Sequence, residues 1–405
     1  MSTDIIAGKK IILGVTGCIA AYKSAFIIRE LIKRKAEVKV VMTPSATEFI
    51  TPLTFSTLSQ NEVIVNTFPS SQKNGTSLST WHIDTALWAD LMIIAPCTVN
   101  TAAKIAHGFA DNALTTLVPA LRCPLIISPA ADVDMYNNKI TQQNIKKLED
   151  AGYYVLQAEE GELASGLKGK GRLPEVDKII DAVELILTGC KKDLAGKKIL
   201  VTAGPTYEDI DPVRFIGNRS SGKMGFEIAK AAFLRGAEVT LISGPSNEVS
   251  YPEIKLLKTR SAEEMKKLVE QEFQECDVLI MSAAVADYKP ASASDKKIKK
   301  EDKLASIKLE ETADILASLD KKDKIVAGFA LETDDELKNA SEKLKKKNLD
   351  LIVLNSLRDK ESGFEFDTNK ITIIHKTGKT IELPLMSKFQ AANKILSEIL
   401  ESINS

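Results

Sequence analysis

Short runs of Val, Ile and Leu recur along the chain without polar alternation, as in AGKKIILGVTG (7–17), KAEVKVVMT (35–43) and ADLMIIAP (89–96). A strand with one wet face alternates apolar and polar residues; these runs do not, and they predict strands buried on both sides. Helix-length segments such as 20–34 and 225–235 separate such runs, long enough to carry the chain back for a parallel return. Further strands are predicted to start at Leu125, Lys324 and Leu351.

The pattern occurs twice. AGKKILVTAG (195–204) repeats the first run, GAEVTLIS (236–243) the second and CDVLIMSA (276–283) the third. Strands that recur in the same order predict two copies of one architecture. The polar stretch Cys190, Lys191, Lys192, Asp193 puts the boundary between them near 189–195. The expected fold is α/β: two doubly wound, mostly parallel, Rossmann-like three-layer domains in tandem, 1–190 and 191–405. Such sheets bind ligands outside the carboxyl ends of their strands, where the strand order reverses.

Composition removes several classes of function. Lys plus Arg number 54 against 55 Asp plus Glu, so no net field draws the chain to nucleic acid or an anionic membrane, and neither is an expected partner. The five cysteines, Cys18, Cys97, Cys123, Cys190 and Cys276, form no C-x-x-C pair and read as reduced thiols. Residues 1–10 lack the apolar core of a signal peptide, and no apolar run approaches the roughly 18 residues of a membrane helix, which predicts a cytoplasmic protein. His82, His107 and His375 are too scattered to predict a zinc site.

The turn after each first strand tests for dinucleotide binding. Gly14, Val15, Thr16, Gly17, Cys18 is not G-x-G-x-x-G, and Gly204, Pro205, Thr206 is not either, which argues against an NAD(P) oxidoreductase. The first turn offers small residues and a hydroxyl before a helix, suited to one phosphate. In the second half, TAGPTYEDIDPVRFIGNRSSGKMG (202–225) is dense in Gly, Pro, Ser and Asn and suits phosphate or carboxylate. Gly217 to Lys223 matches the start of G-x-x-x-x-G-K-[ST], but Met224 replaces the magnesium-binding hydroxyl and no apolar strand runs into Gly217, so a P-loop is rejected.

That loop, followed by SAAVADY (282–288), Lys297 in KKIKK, ADI (313–315), GFALET (328–333) and KLKKKNLDLIVLN (343–355), closely resembles the phosphopantothenate–cysteine ligase family over essentially the whole half. The resemblance implies that the carboxylate of 4'-phosphopantothenate attacks the α-phosphate of CTP, and that the amine of L-cysteine then displaces CMP from the acyl cytidylate. It further implies that Asn218 contacts the acyl cytidylate and Arg214 helps at the substrate, while Lys297, Lys343 and Lys347 hold phosphates. Ala283, Asp287 at the end of a strand, Thr312, Ala313, Asp314, Ile315 and Phe329 would shape the nucleotide site, with Mg²⁺ as cofactor through ligands the sequence does not identify. The lysine pair is similar to the CTP-using bacterial branch. Without this likeness, Lys343 and Lys347 would read as the solvated face of a Lys-rich helix.

The first half resembles the flavin-dependent cysteine decarboxylases that bacteria fuse to this ligase, through GVTGCIAAYK (14–23), TPSATEFITP (43–52), residues 81–112 and PAADVDMY (129–136). The resemblance implies FMN, held by Gly14, Thr16, Gly17, Ser45, Thr98, Asn100 and Asn112. It implies an active-site histidine at His82, just before a helix. In that family a flavin oxidises the cysteine side chain, CO₂ leaves and the enethiol is reduced. Two positions depart from it. Asp132 replaces an asparagine that binds the substrate carboxylate, and Ser165 in GELASGLKGKGRL replaces the cysteine that protonates the enethiol. A carboxylate opposite a carboxylate repels, and a hydroxyl is far less acidic than a thiol of pKa about 8.5. The expected function is a bifunctional enzyme that ligates and then decarboxylates; the alternative is a working ligase on a noncatalytic FMN-binding assembly module. The resemblance also implies trimers of the first domain and dimers of the second, building a dodecamer.

Overall fold

The computed structural model describes residues 4–68, 80–299, 306–332, 334–356 and 366–403. Lys300 and Thr333, at the ends of two of the motifs above, lie outside the described residues. The chain divides into two compact units, Met1–Lys191 and Lys192–Ser405.

The first unit opens with β1 (Lys10–Val15), α1 (Lys23–Lys33), β2 (Glu37–Met42), α2 (Pro52–Ser59) and β3 (Val63–Ile64). It continues through α3 (Trp81–Trp88), β4 (Leu91–Cys97), α4 (Val99–Ala106), α5 (Ala113–Leu117) and β5 (Leu125–Pro129). Then come α6 (Val133–Asn137), α7 (Lys139–Asp150), β6 (Tyr154–Val155), the hairpin β7 (Glu159–Glu162) and β8 (Lys168–Arg172), and α8 (Val176–Leu187). The main sheet is parallel throughout, in the order β3-β2-β1-β4-β5-β6. Its strands are unalternating because both faces are covered. Ile12, Met92 and Ile94 join a core with residues of α4, α5 and α7. Their neighbours Ile11, Leu13, Val15 and Ile93 are equally buried and point the other way. The order reverses between β1 and β4, and their carboxyl ends frame the crevice.

The second unit begins with β9 (Lys198–Ala203), β10 (Tyr207–Asp209), β11 (Phe215–Gly217), α9 (Lys223–Leu234), β12 (Glu238–Ser243) and β13 (Lys255–Lys258). It proceeds through α10 (Ala262–Phe273), β14 (Val278–Met281), β15 (Tyr288–Pro290), β16 (Leu309–Glu311), β17 (Ile325–Glu332) and α11 (Glu336–Lys346). It closes with β18 (Leu351–Ser356), β19 (Thr368–Asn369), β20 (Ile371–His375), β21 (Thr380–Glu382), β22 (Met386–Ser387) and α12 (Lys388–Ile403). The eight-stranded sheet runs β13-β12-β9-β14-β17-β18-β20-β21. It is parallel as far as β18, and β20 and β21 add an antiparallel edge. The strand order reverses at β9 and β14, the counterparts of β1 and β4.

Candidate functional site

A single hydroxyl joins the two strand ends of the first crevice. Thr16 is fully buried; its Oγ1 donates to Pro96 O at 2.8 Å and accepts from Thr98 N at 2.9 Å. Thr98 in turn caps α4. Thr16 therefore fixes the crevice and has no hydroxyl capacity left to donate to a ligand. Gly17 is needed for close approach: a Cβ there would lie 2.6 Å from Ser45 Oγ and 2.7 Å from the Ser45 carbonyl carbon. Ser45 is exposed at the start of a short 3-10 turn, and Asn100 is exposed in the first turn of α4. Asn112 forms a capping box with Thr115 at α5. Gly14 differs from expectation, because it lies inside β1 with Leu114 and Ile94 crowding the place of a Cβ; its smallness serves core packing. The residues that do reach the crevice, a crowded glycine, an exposed hydroxyl and the start of α4, fit a phosphate monoester such as that of FMN.

His82 is the second residue of α3, within the helix rather than before it, half-buried with its ring edge-on to Trp81 at 5.7 Å. Asp132 and Ser165, 33 positions apart, are in contact: Ser165 Oγ donates to Asp132 Oδ2. The β7–β8 hairpin brings Ser165 there by lying on the segment before α6, where Ala131 N donates to Gly171 O at 3.0 Å.

In the second unit a cavity of about 670 Å³ opens among the carboxyl-end loops. Asn218, Ala283, Asp287, Thr312, Ala313, Asp314, Ile315, Phe329, Lys343 and Lys347 all line it. Asn218 Nδ2 donates to Ala284 O at 3.1 Å and Val285 O at 3.2 Å, tying the loop after β11 to the loop after β14. Asp287 lies beyond the end of β14, in that loop rather than on the strand, and its carbonyl accepts from Thr312 N at 2.9 Å. Thr312 Oγ1 donates to Ala286 O at 2.6 Å.

Lys343 and Lys347 are not a solvated face. Lys343 Nζ donates to Phe329 O at 2.9 Å, and burial, reinforced by the Lys347 charge, pushes its ammonium below the ordinary lysine range. Lys347 pairs with Asp314 at 3.1 Å. Desolvation opposes the ionisation of Asp314, yet the hydrogen bond and charge of Lys347 outweigh it and hold the carboxyl below its usual range.

Arg214 and Lys297 are not among the residues lining this cavity. The Arg214 guanidinium is engaged by the buried Asp211 carboxylate and by Ile298 O, the latter at 2.7 Å. Ile298 N donates back to Asp211 Oδ2 at 3.1 Å. The pair thus anchors the exposed strand-free segment that carries Lys297. Although desolvation works against it, Arg214 and the N–H groups of Val213, Ile298 and Arg214 keep the Asp211 carboxyl far below the ordinary range.

The cavity also holds residues that sequence reasoning missed: Lys223, Lys388, Asn355 and Asn369. Lys223 was in view as part of a rejected P-loop match. Lys388 opens an ordinary amphipathic helix and carries no local signal. Among the described residues no cluster of His, Cys, Asp and Glu is suited to a metal, and no helix is long and apolar enough to cross a membrane.

Two doubly wound units, each with a polar site at the carboxyl edge of its sheet, define a two-site α/β enzyme of the kind that handles phosphorylated ligands. The family model "Flavoprotein" matches residues 2–187, and "DNA/pantothenate metabolism flavoprotein C-terminal domain" matches residues 194–403. The chain is 43% identical over 400 residues to the coenzyme A biosynthesis bifunctional protein CoaBC of Bacillus subtilis (strain 168), covering 98% of this chain and 97% of that protein. It is 47% identical over 362 residues to a cysteine/cysteine sulfinic acid decarboxylase of an unknown prokaryotic organism, covering 88% of this chain and 100% of the relative. A crystal structure of the C-terminal domain of a CoaBC protein, 41% identical, superposes with a TM-score of 0.46, covering 53% of this chain and 99% of its own. The chain belongs to the coenzyme A biosynthesis bifunctional protein family.

Proposed function

We propose that the second unit joins L-cysteine to 4'-phosphopantothenate at the expense of CTP, and that the first unit decarboxylates the product, 4'-phosphopantothenoylcysteine, to 4'-phosphopantetheine. The observation that carries the ligase reading is the cavity, which gathers Asn218, Asp287, Thr312, Phe329, Lys343 and Lys347 from separate segments of the unit. An acyl transfer through a cytidylate needs cations on the triphosphate and a fixed acyl phosphate. Lys343 and Lys347 supply the first; Lys297, outside the cavity lining on the exposed segment anchored by Arg214, is assigned to the same phosphates. Asn218 braces the loops on which the acyl cytidylate rests. Asp314 holds Lys347 in place until a phosphate competes for it. Mg²⁺ accompanies the nucleotide, with its protein ligands unassigned.

In the first unit, FMN supplies the two-electron oxidation that makes loss of CO₂ from a cysteine derivative possible. Gly17, Ser45 and the start of α4 receive its phosphate, Thr16 and Thr98 hold these segments in register, and His82, Asp132 and Ser165 surround the substrate. Ser165 Oγ donates to Asp132 Oδ2, and this pair takes the proton-donor position. A silent flavin module is not favoured, because the bifunctional relatives match across both units. We place the enzyme in the cytoplasm as a homo-oligomer, trimeric through the first unit and dimeric through the second.

The test is a product assay with CTP, L-cysteine and 4'-phosphopantothenate, read by mass spectrometry. Cysteine-dependent CMP and an amide product are expected, followed by a product lighter by CO₂. No CMP sinks the ligase reading; an amide that never loses CO₂ sinks the decarboxylase reading.

A further inference from the structure

Helix α11 ends at the cavity of the second unit, and the way it ends decides where Lys347 stands. Asn348 is left-handed, with φ 45°; its N–H donates to Lys345 O at 3.1 Å, and that of Leu349 donates to Leu344 O at 3.0 Å. This Schellman arrangement satisfies the carbonyls of Leu344 and Lys345 and leaves that of Lys347 over. The Lys321 ammonium donates to it. A second cavity, of about 910 Å³, shares Asp314, Leu316, Lys346 and Lys347 with the first. Lys321 lines the second and not the first, so it touches Lys347 from outside the nucleotide cavity. We propose that Lys321 is a positioning residue for the nucleotide: it fixes the helix end that carries Lys347, and it stays behind as the counter-charge of Asp314 when a phosphate draws the Lys347 ammonium away. The proposal rests on the ligase reading, in which Lys347 holds a phosphate of CTP.

The segment 314–321 grips Lys347 at two points. Asp314 Oδ2 pairs with its ammonium at 3.1 Å, while Lys321 takes its carbonyl. Asp314 is itself held, because its Oδ1 accepts from Leu316 N at 3.1 Å and from Ala317 N at 3.3 Å. The first grip has to open when the Lys347 ammonium turns to a phosphate; the second does not, and a cation at a helix C-terminus is favoured by the dipole as well. Lys321 therefore keeps α11 in register with Thr312 to Ile315 in both states. The charges that face Lys321 are Asp314 and Asp350, of opposite sign, and Lys347, of like sign; burial, the largest effect, sets its ammonium below the ordinary lysine range. Asp350 is engaged by Lys376 and by Val326 N, the latter at 2.9 Å, which leaves Asp314 as the carboxylate for Lys321 to serve. A carboxylate stripped of its cation would repel the incoming phosphate. With Lys321 beside it, Asp314 releases Lys347 and remains compensated.

Calorimetric titration of CTP, in magnesium buffer, into the full chain reads the effect without turnover. Lys321→Met is expected to weaken CTP binding about tenfold, the low end for loss of a charge-assisted hydrogen bond, and to leave 4'-phosphopantothenate binding unchanged. Lys321→Arg, which keeps both donor and charge, is expected to restore CTP binding, an outcome that mere disruption of the segment would not give. Unchanged CTP affinity in Lys321→Met, an equal loss for 4'-phosphopantothenate, or no recovery in Lys321→Arg overturns the proposal while the ligase reading stands. If wild type binds no CTP, the ligase reading has failed and the proposal falls with it. If Lys321→Met does not fold, Lys321→Gln is judged by the same criteria.

Discussion

Ser165 on the β7–β8 hairpin hydrogen-bonds to Asp132 at the cap of α6. The contact holds the hairpin over the residues that precede α6, and the proposed decarboxylase reading sets the Asp132 carboxylate opposite that of the substrate. Asp132→Asn removes one of two opposed negative charges. We expect it to lower the KM for 4'-phosphopantothenoylcysteine about tenfold, on the order of one unit of differential interaction, measured by CO₂ release. An unchanged KM would remove Asp132 from the substrate.

The same pair makes Ser165→Cys informative. A thiol is a much stronger acid than a hydroxyl, so the variant is expected to turn over faster if proton donation to the enethiol limits the rate. Slower turnover with the flavin still bound would show instead that the Ser165–Asp132 hydrogen bond is itself required.

Thr16→Val keeps the shape of the side chain and deletes the hydroxyl that satisfies Pro96 O and Thr98 N. Leaving buried groups unpaired costs about 1–3 kcal/mol each. We expect a lower melting temperature for the first unit together with weaker FMN retention on gel filtration. Stability and flavin content equal to wild type would mean that the crevice is held by other contacts.

Asp211 titrates as a stability element for the Lys297 segment. Its folded pKa is depressed relative to the unfolded chain, so its contribution is complete above the ordinary Asp range, about 3.9, and is lost as pH falls below that value. Arg214→Ala removes the partner. The variant should therefore lose less stability than wild type when pH drops from 5 to 3, and at neutral pH its KM for CTP should rise because Lys297 is no longer anchored. Parallel stability curves for the two proteins would contradict the linkage.

Lys388 has the opposite sense. Its folded pKa, about 8, lies below the ordinary lysine value of about 10.4, so the unfolded chain binds more protons between these values and stability rises with pH across that window. The penalty is fully present below pH 8. Lys388→Met should be more stable than wild type at pH 7, and the gap should shrink as pH approaches the ordinary lysine value, as followed by chemical denaturation. A gap independent of pH would show that packing and not charge separates the two.

Both doubly wound sheets were legible in the linear sequence because a strand covered on two faces has no polar alternation, and the repeat at 7–17 and 195–204 announced the second copy. Thr98, Asn218 and the run from Thr312 to Ile315 were singled out by family resemblance and not by local pattern; the folded chain puts Thr98 at the cap of α4 and the others in the cavity lining. What could not be read was how hydroxyls and charges are spent. Gly14 looked like a turn residue and serves packing; Thr16 looked like a ligand contact and is used up by Pro96 and Thr98. Arg214 looked substrate-facing and is engaged by Asp211 and Ile298.

Periodicity is a property of neighbours along the chain, and it determined the α/β class, the duplication and which loops follow the carboxyl ends of the strands. Pairings such as Ser165 with Asp132, or Lys223 with Asp367, join residues far apart in the chain, and no local pattern encodes them. Only the folded chain decides which ammonium is buried and which is solvated, because desolvation depends on everything packed around a group. Lys388 shows this most plainly: as the first residue of an amphipathic helix it is unremarked in sequence, and its burial in the cavity is a consequence of tertiary packing alone.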